Sequence, residues 1–277
     1  MRRAATLLAA LALALAAPAQ AQFNINLNRL LDAGKNVRQA AGGIDEKEEI
    51  ELGGDVAARL LGAAPLVPNA ALQTYVNRVG RWLASQTERP NLPWQFGVLD
   101  APQVNAFATP GGHIFVTRGL LARMKNEAEL AGVLAHEIAH VLKKHHLKAI
   151  QKNAQLELAG TALSFSRRTD DADKRAKLLA AGSELYLRGL DKSDELEADR
   201  LGVVIAARGG YDAYGLPAVL QTLQAMNPED SGLALMFKTH PAPAERLDAL
   251  ERLQPVLDAH AAQPQLAERF VGAVSGR

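Results

Sequence analysis

The stretch HEIAH at residues 136–140 constrains this chain more than any other feature, because it places two histidines four positions apart inside an apolar run. Side chains four apart lie on one face of an α-helix, so His136 and His140 can reach the same metal ion. Glu137 flanks that face and can take a proton from a water molecule held at the metal. The alternative is an amphipathic helix that carries two histidines by chance, so the motif needs support from its surroundings.

The flanking sequence predicts one helix over residues 126–147. Asn126 is a suitable N-cap, and Glu129 stands where a capping-box partner would stand. Apolar residues recur at helical spacing, and small residues such as Gly132 would let another backbone approach closely. Beyond two lysines, His145 and His146 are interpreted as the solvated end of this helix.

A catalytic zinc site takes three protein ligands and keeps one position open. The chain has no cysteine, which excludes sulfur. The best candidates lie in an acidic segment that opens a second predicted helix, running to about Arg208. There Glu195 and Asp199 are one turn apart, so Glu195 can ligate a metal while Asp199 accepts a hydrogen bond from a ligand histidine. A solvated acidic helix start explains the same residues, and the HExxH upstream leads us to favour the metal.

Several motifs follow one another in an order that resembles a known family. They are Asn105–Ala108, Pro110–Leu121, the HExxH helix, Glu195–Asp199, and His240-Pro241 followed by Arg246. The order is similar to that of HtpX-like and CAAX-prenyl-protease-like zinc metallopeptidases, nearest to their soluble periplasmic BepA/LoiP-like branch. The resemblance covers roughly Leu52 to Leu253. It implies an α+β, mainly helical fold, a gluzincin-like HExxH zincin domain with a small sheet beside the zinc helix.

The resemblance also implies a metal and a base. One Zn²⁺ per chain would be bound by His136, His140 and Glu195, and Glu137 would be the catalytic base. In this interpretation water occupies the fourth position at the metal. The carboxylate of Glu137 would deprotonate that water and pass the proton to the leaving amine.

A second implied catalytic pair is His240 and Arg246, which match the family's His-Pro-x-x-x-x-Arg motif. The family's histidine lies near the metal, where it either stabilises the transition state or acts as an inhibitory extra ligand. Pro241 suits the first turn of a helix, so we expect His240 at a loop–helix junction that points into a cleft. Arg246 would orient it or meet the substrate carbonyl. A helix-capping histidine remote from the metal is the alternative.

Three short strands are predicted before the zinc helix, at Trp94–Leu99, Val104–Ala108 and His113–Thr117. If the resemblance holds, substrate binds as an added strand along a sheet edge, through main-chain hydrogen bonds that ignore sequence. We expect His113–Thr117 to be that edge. The expected substrate-binding residues are Asn105, His113, Ile114 and Phe115. The alternative is a purely structural sheet with Asn105 in a turn.

The first 21 residues read as a signal peptide. Arg2 and Arg3 precede an apolar run too short to span a bilayer comfortably, and a small-x-small site predicts cleavage after Ala21. An uncleaved anchor is the alternative. We expect residues 22–50 to form an N-terminal arm and residues 51–277 the metallopeptidase domain. Without cysteine, an exported protein depends on packing and metal rather than on disulfides.

The combined hypothesis is an exported, periplasmic zinc endopeptidase with a role in protein quality control. Its expected partners are unfolded or misassembled envelope proteins, with outer-membrane association as an implied location. A formal net charge of +1 gives no reason to expect nucleic acid. One alternative is a non-proteolytic chaperone or assembly factor that uses the same cleft, and another is a metal-dependent hydrolase of non-peptide substrates. An intact Glu137 favours an enzyme, because a binder needs no base.

Overall fold

The computed structural model describes residues 45–152, 189–227, 230 and 232–275. The predicted signal peptide and residues 22–44 of the predicted arm lie outside these ranges. In the described chain the elements are α1 (Glu46–Ala63), α2 (Ala70–Ser85), β1 (Gln95–Leu99), β2 (Ala106–Ala108), β3 (His113–Thr117), α3 (Arg118–Leu121), α4 (Glu127–Leu142), α5 (Lys192–Arg208), α6 (Gly215–Gln224), α7 (Ala234–Thr239), α8 (Pro243–Glu251), α9 (Gln254–Ala259) and α10 (Ala267–Ser275). The prediction of a mainly helical protein with a small sheet is confirmed.

Helix α1 crosses the predicted boundary at residue 50. Asp45 caps it by accepting a hydrogen bond from the Glu48 amide at 2.8 Å, in a complete capping box. Glu49, fully buried, forms an ion pair with Arg89 at 2.9 Å. A Cβ on Gly53 would lie 1.6 Å from the carbonyl oxygen of Pro110, so this glycine lets α1 pack closely against the turn between β2 and β3. Residues 45–50 therefore pack with the rest of the domain.

The sheet has the order β1-β3-β2. Strand β3 pairs in parallel with β1, from Gln95↔His113 to Leu99↔Thr117, and antiparallel with β2. The prediction that β3 is the sheet edge is wrong, because β1 adds to the side of β3 that the hairpin with β2 leaves unpaired. Among the described strands, the one at the edge beside α4 is β2, which contacts that helix.

Helix α4 carries the HExxH motif and runs through the centre of the domain, packed by α2, α5, α6 and the sheet. Its predicted N-cap is confirmed, since Asn126 accepts a hydrogen bond from the Glu129 amide at 2.9 Å. A Cβ on Gly132 would lie 2.5 Å from the Leu216 backbone nitrogen, so this glycine allows α6 to approach. Because α4 is buried on every side, its histidines are held in a closely packed setting.

The predicted continuous helix to Leu147 is interrupted. Helix α4 ends at Leu142, Lys144 adopts a left-handed conformation with φ of 58°, and a new helical segment covers residues 145–152. The Lys144 ammonium forms an ion pair with buried Glu49 at 2.9 Å, which offsets the cost of this conformation. No helix in the described ranges combines the length and apolar character needed to cross a bilayer.

Candidate active site

Three buried side chains from two helices converge at one point: His136 and His140 from α4, and Glu195 from α5. The two Nε2 atoms are 3.0 Å apart, and they lie 3.6 and 3.5 Å from the Oε2 and Oε1 atoms of Glu195. Two ligands bound to one tetrahedral ion at about 2.0 Å are separated by about 3.3 Å. The three side chains therefore form a ligand triangle of the size that a metal ion requires.

The convergence depends on how closely α5 packs against α4. A Cβ on Gly202 would lie 2.9 Å from the His136 backbone nitrogen, so only a glycine lets the two helices meet at this depth. Glu195 lies in the first turn of α5, and Asp199 lies one turn further along the same face. The structure thus brings Glu195 and Asp199 to the HExxH histidines, as the spacing of the sequence predicts.

The burial and the hydrogen bonding of the Glu195 carboxylate fit a bound cation. Its Oε2 atom is buried and has no hydrogen-bond partner among the described residues. Burial raises the pKa of Glu195 to about 8, so the ionised carboxylate is poorly compensated where it stands. A divalent cation would supply the missing partner and favour the ionised form. Two imidazoles and one carboxylate, without sulfur, are a donor set that zinc accepts.

Asp199 fixes the orientation of His136. Its Oδ1 atom lies 2.9 Å from His136 Nδ1, so it accepts a hydrogen bond from the Nδ1–H group. The unprotonated Nε2 atom then faces the ligand triangle. Arg246 donates to both Asp199 oxygens, at 2.9 and 2.6 Å. Burial by itself would raise the pKa of Asp199, but the Arg246 guanidinium outweighs that effect and holds the pKa below its usual range. Arg246 therefore positions Asp199, a role that the sequence analysis missed.

Glu137 is buried beside the ligand triangle rather than within it. Its carboxylate forms a group with His136 and His240 whose polar atoms lie within 4.8 Å of one another. Burial raises the pKa of Glu137 to about 8, although nearby Arg246 acts to lower it. A carboxyl group with a pKa near neutrality is suited both to accept and to return a proton.

His240 also lies at the site. Its Nε2 atom is 3.8 Å from Glu195 Oε2, and its ring centroid is 6.1 Å from that of His136. The expected His-Pro helix start is wrong, because His240 caps the C-terminus of α7 and α8 begins two residues after Pro241. Thr239 Oγ1, which donates to the Met236 carbonyl, lies 2.9 Å from His240 Nδ1. If the hydroxyl oxygen of Thr239 accepts a hydrogen bond from the Nδ1–H group of His240, Nε2 is unprotonated and its lone pair faces the site.

Two cavities flank the site, and Asn105, Ala106, Glu137 and His240 line both. The walls of the first cavity are mainly apolar and include Leu120, Val133, Leu216, Val219, Leu220, Leu223 and Met236. The second is more polar and includes His140, His146, Glu195 and Thr239. The Nδ2 group of Asn105 is buried without a hydrogen-bond partner among the described residues, so a donor is available in this cleft.

The other predicted substrate contacts lie elsewhere. Ile114 belongs to the main hydrophobic core, and Phe115 packs in a smaller cluster with Leu99. The His113 carbonyl accepts a hydrogen bond from the Thr109 amide at 2.8 Å. Because β3 is the central strand, its backbone is already paired on both sides, and the prediction that these residues bind an added strand is wrong.

His145 is a buried site residue that the sequence analysis missed. It was predicted to be solvated, yet it is 1% exposed and its Nδ1 atom lies 3.0 Å from His140 Nδ1. The ring of His146 also lies near His140, with centroids 5.4 Å apart. On a straight helix, His145 would point about 140° away from His140, so helical periodicity carries no signal for this contact.

A ligand triangle on two packed helices, with a buried glutamate beside it and a small sheet alongside, defines a metallopeptidase-type domain built around HExxH. The profile described as Peptidase family M48 matches residues 70–254, and the chain belongs to this family.

Curated relatives agree with that assignment. The beta-barrel assembly-enhancing protease of Escherichia coli O157:H7 is 32% identical over an alignment of 214 positions that covers 74% of this chain and 44% of that protein. A putative beta-barrel assembly-enhancing protease of Vibrio cholerae is 30% identical over an alignment of 235 positions that covers 79% of this chain and 49% of that protein. The mitochondrial metalloendopeptidase OMA1 of Arabidopsis thaliana is 32% identical over 164 residues, 59% and 32% of the two chains. The chain thus spans less than half the length of these relatives.

Proposed function

We propose that this protein is an exported, zinc-dependent endopeptidase that cleaves unfolded or misassembled envelope proteins. The observation that carries the proposal is the triangle of His136, His140 and Glu195 with Glu137 buried beside it. When bound there, zinc would polarise the scissile carbonyl and lower the pKa of water. The names of the bacterial relatives, which refer to β-barrel assembly, support envelope proteins as the substrate class.

In this proposal the chemistry of proton transfer belongs to Glu137. Its carboxylate takes a proton from the attacking water and returns it to the leaving amine. Burial keeps its pKa near neutrality, which suits both steps. Asp199 and Arg246 contribute by holding His136 in the tautomer that presents Nε2 to the metal.

Substrate recognition is assigned to strand β2 and the cleft behind it. Among the described residues β2 borders the site, and its Ala106 lines both cavities, so an extended peptide bound there through main-chain hydrogen bonds, a mode that suits unfolded chains of varied sequence, would lie beside the ligand triangle. The Nδ2 group of Asn105, directly before β2, has no hydrogen-bond partner in the described part of the chain and would donate to a substrate carbonyl. The apolar cavity between α4 and α6 would accept one apolar side chain next to the cleaved bond.

The proposal is tested by incubating the zinc-loaded protein with a urea-unfolded outer-membrane β-barrel protein and mapping the cut sites by mass spectrometry. We expect internal cuts by the wild type, with apolar residues enriched at one position beside the cut, and none by Glu137→Gln. A chaperone would suppress aggregation of the substrate without cutting it, and a non-peptide hydrolase would do neither. The absence of zinc-dependent cuts, or identical cuts by both proteins, would contradict the proposal.

Export gives a separate prediction. We expect the mature chain to begin at Gln22, because the apolar run after Arg3 and the site ending at Ala21 match a cleavable signal. N-terminal sequencing of the protein from a periplasmic fraction of a bacterial host checks this. A chain that keeps Met1 and sediments with membranes would contradict it without affecting the chemistry of the site.

We propose that His240 occupies the fourth coordination position at the metal, which the attacking water needs. Its Nε2 atom faces Glu195, and the Thr239 hydroxyl fits the tautomer that leaves Nε2 unprotonated. His240→Ala should therefore raise turnover while zinc content stays at the wild-type level. If His240 instead stabilises the transition state, turnover should fall on the order of a hundredfold.

Turnover on a fluorogenic peptide and zinc content by elemental analysis distinguish the outcomes for His240→Ala. His260→Ala is the matched control, since His260 also follows the end of a helix but lies at α9. Wild-type turnover in His240→Ala would remove His240 from the reaction.

A further inference from the structure

We propose that His145 and Glu197 form a hydrogen-bonded relay that fixes the tautomer of His140 and so tightens zinc binding. The inference rests on the proposed zinc site but assigns residues outside the ligand triangle. His145 would act through His140 and is therefore a positioning residue, not a ligand.

The relay is continuous in the structure. His140 Nδ1 lies 3.0 Å from His145 Nδ1, and His145 Nε2 lies 3.3 Å from Glu197 Oε2 and 3.7 Å from Asp194 Oδ1. Glu197 is held in turn by Lys143, whose Nζ atom is 2.9 Å from Glu197 Oε1. The chain of contacts runs from the buried ligand to two carboxylates at the start of α5.

Hydrogen-bond chemistry fixes the direction of every contact. If His140 Nε2 faces a metal, its ring carries the proton on Nδ1. His145 Nδ1 then accepts a hydrogen bond from the Nδ1–H group of His140. The neutral ring of His145 must therefore carry its own proton on Nε2. The Nε2 group donates to Glu197, which can only accept when it is ionised. Each atom in the relay thus has one role, and the carboxylate lies at the end away from the metal.

The backbone allows this contact because the helix breaks between His140 and His145. Five helical residues would turn His145 about 140° from His140. The left-handed Lys144 follows the end of α4 and changes the direction of the chain, and its ion pair with buried Glu49 stabilises that turn. His145 is thereby returned to the face of α4 from which His140 projects.

The relay makes the two ligand histidines unequal. His136 contacts the carboxylate of Asp199 directly, whereas a second imidazole separates His140 from Glu197. Partners of this kind raise the basicity of a ligand histidine and fix its orientation, and their loss typically costs about 10- to 100-fold in metal affinity. We expect a loss of zinc affinity of this size when His145 can no longer accept a hydrogen bond from His140.

The test compares three variants by zinc competition against a chromophoric chelator. His145→Ala should weaken zinc binding about 10- to 100-fold. His145→Asn should recover most of the affinity, because its Oδ1 can take the place of Nδ1 as acceptor. Leu147→Ala is the matched control, since Leu147 is similarly buried in the same segment but has no polar atom to offer. It should bind zinc like the wild type.

Two spectroscopic readouts do not depend on activity. In the cobalt-substituted protein, His145→Ala should shift the visible absorption bands, and Leu147→Ala should not. In the zinc-loaded wild type, long-range ¹H–¹⁵N NMR should show His145 protonated at Nε2 alone. Protonation at Nδ1, or equal zinc affinity in His145→Ala and the wild type, would overturn the relay. If the wild type itself binds no zinc, or His140→Ala binds it normally, the proposed zinc site fails instead.

Discussion

Replacing Glu137 with glutamine is expected to reduce peptide cleavage on the order of 10²- to 10⁴-fold, the usual contribution of a general acid–base group. Glutamine keeps the shape of the side chain but cannot take a proton from water. Zinc content should stay at one ion per chain, because Glu137 lies beside the ligand triangle and not within it. Turnover on a fluorogenic peptide and elemental analysis measure the two effects.

Stability separates this result from unfolding. Burial raises the pKa of Glu137, so the folded state disfavours its ionised form, and a neutral glutamine should not lower the thermal unfolding midpoint of the metal-free protein. Glu129→Gln is the matched control: Glu129 is also a buried glutamate on α4, but its carboxylate accepts from the Lys125 amide at the start of the helix. Cleavage by Glu137→Gln near the wild-type rate would remove Glu137 from its role as base.

Features of the site encoded within one helix could be predicted from the sequence. The spacing of His136 and His140 sets their common face, and Asn126 sets the start of the helix through its own side chain. The same logic places Glu195 and Asp199 one turn apart on α5. These predictions depend on interactions between residues a few positions apart, which periodicity and capping describe well.

Features that depend on contacts between distant segments could not be predicted in this way. The turn sequence predicts that β2 pairs with β3 in a hairpin, but it does not predict where β1 lies. The parallel pairing of β1 with β3 makes β3 the central strand. His240 was expected to begin a helix because proline favours the first turn, but Pro243 takes that position. The partner of Arg246 is Asp199, 47 positions away, and only packing of α8 against α5 brings the two together.

The error at His145 comes from one backbone angle. Helical sequence on both sides of Lys144 favours a continuous helix, and lysine is not a residue type that commonly adopts positive φ. The conformation is held by Glu49, which lies on α1 far along the chain. A buried partner outside the segment thus decides where His145 points, and no local pattern records it.

Glu195→Ala is expected to weaken zinc binding by more than the roughly 10- to 100-fold that loss of an outer partner costs, because it removes one of three protein ligands. Without the carboxylate, the ligand triangle keeps only its two imidazoles, and His240, the proposed extra ligand, is a third imidazole that cannot replace the lost negative charge. Chelator competition gives the affinities, and circular dichroism of the metal-free variants confirms that each is folded.

Glu197→Ala is the informative comparison, because Glu197 lies two positions further along α5 and about 200° around the helix. Its carboxylate contacts Lys143 and His145 and does not belong to the ligand triangle. Through the relay, its removal should weaken zinc binding no more than His145→Ala does, and far less than Glu195→Ala. The order of affinities is then wild type, Glu197→Ala and Glu195→Ala. Equal zinc retention in the two glutamate variants would show that Glu195 is not a ligand, since loss of a ligand must weaken zinc binding more than loss of a residue outside the ligand triangle.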